Sequence, residues 1–218
     1  NIAPGTYSSQ LQVLSIPGSS TTNVLTIQSS TQNKNDVTIQ FAATDSLQNY
    51  VMCFDSLANV VVQHLTIKAI GTDFAKVLDI TGTSSNINFN NNNLVSKDIL
   101  RSSIGNLAIV TLRGQHDDIS FDNNQFIDGH YGIVTTNSAT LSNIDVFDNT
   151  FTDQLYGNIY LQDIDNITIE RNRMMTISTE NDFRSIYLNN ANGQTDIYQN
   201  SLDLGDGSGI FIENSTAI

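Results

Sequence analysis

The sequence predicts an all-β solenoid, a parallel β-helix of about seven rungs, and three observations carry that reading. The first is an internal repeat. ISFDNNQFIDGHYGIVTT (119–136) and IDVFDNTFTDQLYGNIYL (144–161) match position by position: Ile119 with Ile144, Phe121 with Val146, Asn124 with Asn149, Phe126 with Phe151 and Tyr131 with Tyr156. The second is spacing. Asn92, Asn124, Asn149, Asn172 and Asn200 occupy one repeat position, 32, 25, 23 and 28 residues apart, and a solenoid absorbs such variation in its loops. The third is alternation of apolar with polar residues inside each copy, the period of a strand and not of a helix.

The elements follow in chain order. Residues 2–28 carry Pro-Gly at 4–5 and 17–18, which mark turns, and Val24, Leu25 and Ile27 begin a strand. STQNKND (30–36) is a polar loop, and VTIQF (37–41) is the first clear rung, followed by VMCF (51–54). NVVVQHLTI (59–67) is followed by VLDI (77–80), and INFNNNNL (87–94) precedes the longest insertion, SKDILRSSIGN (96–106). The frame continues through ITIERNRM (167–174) and TDIYQNSL (195–202), with second short strands from Val110, Gly132, Asn158, Ser185 and Gly209. No linker divides the chain, so residues 1–218 read as one domain. The recurring asparagine lies between two strands that turn sharply, and Asn tolerates the left-handed backbone region. Rungs stacked about 4.8 Å apart then let its amides bond from rung to rung. Positions near Ala42 and Leu65 lack the asparagine, so the ladder is expected only in the later part.

These residues, in the pattern n-I-x-I-x-x-N-x-φ … G-I-x-φ, resemble the right-handed parallel β-helix repeat family of the pectate-lyase-like superfamily, in its non-catalytic surface-protein type. The resemblance covers residues 37–218 and implies a right-handed, single-stranded β-helix. It also implies that the strand after the variable loop lines the exposed groove in which catalytic members hold substrate. Alternation along that strand directs Met52/Phe54, Leu78/Ile80, Val110/Leu112, Ile159/Leu161, Ile186/Leu188 and Ile210/Ile212 inward. Cys53, Asp79, Thr111, Val134, Tyr160, Tyr187 and Phe211 then form an outward row, flanked by Asp55, Thr81, Arg113, Thr136, Gln162, Asn189 and Glu213.

Composition narrows the partners. A net charge of −13 argues against nucleic acid and anionic membranes, which require a basic face. No apolar run approaches the roughly 20 residues of a membrane span, so no membrane insertion is expected. Cys53 is the single cysteine, which excludes an internal disulfide. The chain opens at Asn1 and shows no capping element at either end, so it is read as a piece of a longer protein, secreted or displayed at the cell surface.

Candidate chemistry falls on the outward rows. Tyr160, Tyr187 and Phe211 on successive rungs make an aromatic strip suited to sugar faces, with Asn158, Gln162 and Asn189 as hydrogen-bonding neighbours. Structurally, the same rings could simply stabilise the sheet. Asp55 and Asp79, with Arg113 one rung on, are the one constellation resembling a polysaccharide-lyase groove: the carboxylates would hold calcium and Arg113 would take a proton. Calcium takes several oxygen ligands and only two carboxylates can be nominated, so a solvated Asp79 is the expectation. His116-Asp117-Asp118 and Gly129-His130 invite comparison with β-helical polygalacturonases, but Tyr131 stands where a second glycine is needed and the partner motifs are missing. No cofactor is required by any of these patterns, calcium being the one ion with nominated donors. The function expected is a secreted or cell-surface module with a structural, adhesive or polysaccharide-contact role. The alternative is a polysaccharide lyase or glycoside hydrolase acting on an acidic polysaccharide, which rests on fold analogy and on Asp79 and Arg113.

Overall fold

A computed structural model describes residues 1–97, 106–136, 139–205 and 207–216; most of the insertion expected at 96–106 lies outside the described residues. The strands stack in parallel as a right-handed β-helix whose every turn contributes to three faces. The first face runs from Leu11–Leu14 and Met52–Asp55 through to Ser208–Glu213. The second includes Leu25–Gln28, Ala58–Gln63 and Thr140–Phe147. The third is an eight-stranded sheet from Gly5–Ser8 to Ser201–Leu204. Leu78–Asn90, Val110–Asp122, Gly157–Glu170 and Arg184–Tyr198 run without interruption from the first face around a corner into the second. Among the described residues, seven turns visit all three faces.

Registers follow the repeat. Ile119 pairs with Ile144 and Phe121 with Val146, Phe126 with Phe151, and Ile133 with Ile159. One expected match slips: Tyr131 pairs with Gly157, not Tyr156, because one extra residue is taken up at the corner between the third and first faces. The glycine of the repeat is needed there for space. A Cβ on Gly132 would lie 2.4 Å from the Asn158 carbonyl oxygen and 2.7 Å from the Phe151 ring.

The inward rows form one apolar column, in which burial of side chains supplies the driving force. Phe54, Phe89, Phe121, Phe126 and Phe151 succeed one another along it, with ring centroids 5.4, 5.2, 6.0 and 4.4 Å apart. Ile210, expected inward, is 49% exposed, since it lies on the last described strand with no further turn packed over it.

The asparagine ladder closes the corner between the second and third faces. Asn92 donates from its backbone N and Nδ2 to Asn124 Oδ1 at 2.9 and 3.1 Å, and the same pair of bonds links Asn124 to Asn149, Asn149 to Asn172 and Asn172 to Asn200. Its outer end is Leu65 N, which donates to Asn92 Oδ1 at 3.0 Å. The conformational reason expected for these asparagines belongs to their neighbours. The residues in the left-handed region are His64, Asn91, Asn123, Asp148, Arg171 and Gln199, with φ of 51 to 57°, each preceding the turn position. Asparagine suits the ladder because its amide oxygen accepts two bonds from the previous rung while its Nδ2 donates two, to a carbonyl of the previous rung and to the next asparagine, where a hydroxyl has only one hydrogen to give.

Candidate functional site

The first face is where the predicted residues meet, and its two ends differ. Toward the N-terminal turns, the corner loops fold over the outward row. Asn49 Nδ2 donates to the Asn106 carbonyl at 2.8 Å, Lys76 N donates to Asn49 Oδ1 at 3.0 Å, and Tyr50 is buried beside them. Under this cover Cys53, Asp79 and Thr111 are buried although they point away from the core. Burial, reinforced by the negative charges of Asp79 and Asp55, pushes the Cys53 thiol up to about 12.

Asp79 is therefore not solvated: it is 3% exposed. Thr111 Oγ1 and Arg113 Nε donate to its Oδ1 at 2.6 and 2.9 Å, and Arg113 Nη2 closes a bidentate pair on Oδ2. Burial opposes the charge on Arg113, but the hydrogen bonds and charge of Asp79 outweigh it and hold the guanidinium's pKa above its ordinary value. Arg113 thus stays a cation and is unsuited to take a proton. Asp55 is half-buried and accepts from Ser56 Oγ at 2.9 Å. With both Asp79 oxygens engaged by protein donors, Asp55 lacks the second free carboxylate on which the calcium reading depended.

The aromatic strip is present at the other end and is longer than expected. Tyr131 lies 5.3 Å from Tyr160, Tyr160 stacks on Tyr187 at 4.1 Å, and Tyr187 on Phe211 at 5.9 Å. Tyr160, Tyr187 and Phe211 turn their faces toward one another along the helix axis, while Tyr131 is tilted by 60° against Tyr160. Tyr187 is consequently only 4% exposed, and its hydroxyl donates to Glu213; Tyr160 is half-buried and Phe211 is 38% exposed. Arg184, which alternation did not single out, holds its guanidinium carbon 4.3 Å over Phe211 and 5.0 Å over Tyr187, a cation–π arrangement. Gln162 and Asn189 flank the strip, half-buried. Asn158 does not: it is fully buried, donating to Gln154 Oε1 and accepting from Ser185 Oγ, both at 2.8 Å.

His116 lies at the first corner, inside the helix, in register with buried Ser84 and Leu141. Neither ring nitrogen makes a hydrogen bond. Burial lowers its pKa, with the nearby Arg113 and Ile80 carbonyls and the charge of Asp79 offsetting part of the shift.

Residues 34–218 match the family described as NosD, periplasmic copper-binding protein. The chain belongs to the NosD family. No curated protein and no solved structure matches it. The family is periplasmic and β-helical, in agreement with the expected fold and with placement outside the cytoplasm. Among the described residues, no helix is long and apolar enough to cross a membrane. Copper, which the NosD description implies, is bound by imidazole, thiolate and thioether groups. Among the described residues, no three His, Cys, Asp or Glu side chains converge on a point where a metal ion could sit. The described residues of this NosD-family chain do not fit the metal.

Proposed function

We propose that this chain is a non-catalytic β-helical module that contacts a glycan along the first face. The observation supporting this reading is the ring column from Tyr131 to Phe211, capped by Arg184. Among the described residues, no carboxylate pairs with Arg184. Because the rings face each other, a sugar would meet the edge of Tyr160 and the outer surface of Phe211, burying apolar C–H groups there. Gln162 and Asn189 would take its hydroxyls, while buried Asn158 leaves the expected set. An open strip buries little ligand surface, so affinity is weak. The enzymatic alternative loses support because its two candidates, Asp79 and Arg113, are paired with each other and Asp79 is buried.

Calorimetric titration with neutral and acidic oligosaccharides, in chelator, tests the reading against a Tyr160→Ala/Phe211→Ala double variant. A neutral oligosaccharide should bind the native chain and lose affinity for the variant, since the net charge of −13 repels acidic chains. Equal binding by both proteins would move the site away from the strip. No binding to any glycan would leave the column with its structural role alone.

A further inference from the structure

We infer that the described residues within 34–218 form no copper centre, and that membership of a family described as copper-binding does not carry a metal site with it among them. The argument rests on a complete account of the soft donors. The chain has three histidines, one cysteine and three methionines, and all of them lie within the described residues.

The three histidines occupy three different corners of the solenoid. His116 is at the corner between the first and second faces, facing inward between Ser84 and Leu141. His64 is at the corner between the second and third faces, its backbone in the left-handed region and its Nδ1 bonded to Asn91 Nδ2 at 2.8 Å. His130 is at the corner between the third and first faces, its ring 5.1 Å from that of Tyr156. His116 and His130 share one turn but sit at different corners of it, and His64 belongs to an earlier turn; among the described residues no three His, Cys, Asp or Glu side chains converge.

The sulfur donors do not repair this. Cys53 and Met52 are adjacent on one strand and therefore point to opposite sides of it: Met52 enters the core and Cys53 lies under the first-face cover. Burial raises the pKa of the Cys53 thiol, which makes the thiolate that copper takes costlier to form there. Met174 is buried in the core, where its sulfur lies 3.0 Å from Ser185 Oγ. Met175 points outward on the third face, paired in register with Thr152 and Asp203. The repeat itself is built on a ladder of asparagines and inward aliphatic and aromatic side chains, none of which is a copper ligand, so the fold forms without metal.

The test uses the purified, reduced, metal-free chain. It is titrated with Cu(I) in competition with a bathocuproine chelator and with Cu(II) followed by electron paramagnetic resonance. Retained copper is then assayed after desalting, and thermal melts are run with and without each ion. The expected result is that copper retained after desalting falls far below one equivalent and that neither ion raises the melting temperature. Loosely held Cu(II) removed by desalting belongs to that result. One equivalent retained, or a melting temperature raised by stoichiometric copper, overturns the inference. Cys53→Ser, His64→Ala, His116→Ala and His130→Ala would then identify the ligands.

Discussion

Replacing Asp79 by asparagine removes a charge that faces Arg113 and Thr111 beneath the corner loops. The Arg113 side chain keeps 34% of its exposure, so water recovers part of the lost interaction, and a destabilisation of about 1–3 kcal/mol is expected. Chemical denaturation measures it, and a neutral result would mean that the pair is open to solvent. His116 gives the second residue-scale prediction. Its folded pKa lies below the ordinary 6.5, so between those two values the unfolded chain binds a proton that the folded chain does not. Stability therefore falls as pH drops through about 6.5, at up to about 1.4 kcal/mol per pH unit, and stops falling on this account below the folded pKa. Asp117 and Asp148 have pKa values lowered by hydrogen bonds, the former from Ser142 and Asn143 and the latter from Arg171. Their contribution is lost in a separate, more acid window. His116→Leu should abolish the slope near pH 6 in denaturation experiments; a slope that persists would assign it to another group.

The adjoining asparagines at 91–92 and 123–124 divide two roles between them. Asn123 is the left-handed residue, with φ of 54°, and Asn124 is the ladder residue. Asn123→Gly should be near neutral, since glycine adopts that conformation without strain. Asn124→Gly should cost about 2–4 kcal/mol, because it strands the Asn92 backbone N–H and the Phe89 carbonyl in a buried corner. Thermal melts of the two variants compare them, and equal losses would mean that conformation and not hydrogen bonding selects the ladder residue. What was legible in the sequence follows the same division. Alternation and repeat spacing recover the strands, the inward rows and the ladder, because those depend on nearest-neighbour turns. The left-handed position was misassigned by one residue, since His64, Arg171 and Gln199 also occupy it and carry no turn signal. The cover over Asp79 was invisible because it comes from corner loops whose path has no period. The mutual stacking of Tyr160 and Tyr187 depends on side-chain rotamers that alternation does not specify. Arg184 could have been found by asking which cation falls two or three residues before the aromatic row.

At the scale of the molecule the chain is quasi-one-dimensional: each turn contacts only its neighbours, so stability is set locally and unfolding can begin wherever a neighbour is missing. Burial along the axis is uneven. The strands Gly5–Ser8 and Leu11–Leu14 have no fully buried residue, and neither does Ser208–Glu213, whereas Val110–Asp122 and Gly157–Glu170 bury most of their inward positions. The phenylalanine column spans Phe54 to Phe151 and reaches neither terminal turn. The ladder also ends at Leu65, leaving the first turns without it. Amide hydrogen exchange should accordingly report graded protection. The slowest amides should lie in the first- and second-face strands from Val110 to Glu170, and the fastest in the opening turn and in Ser208–Glu213. Phe121→Ala should accelerate exchange in the central turns, and Ile27→Ala only in the first ones. Uniform protection from end to end, lost in a single step in both variants, would show that the turns unfold as one unit and that the local account of stability is wrong.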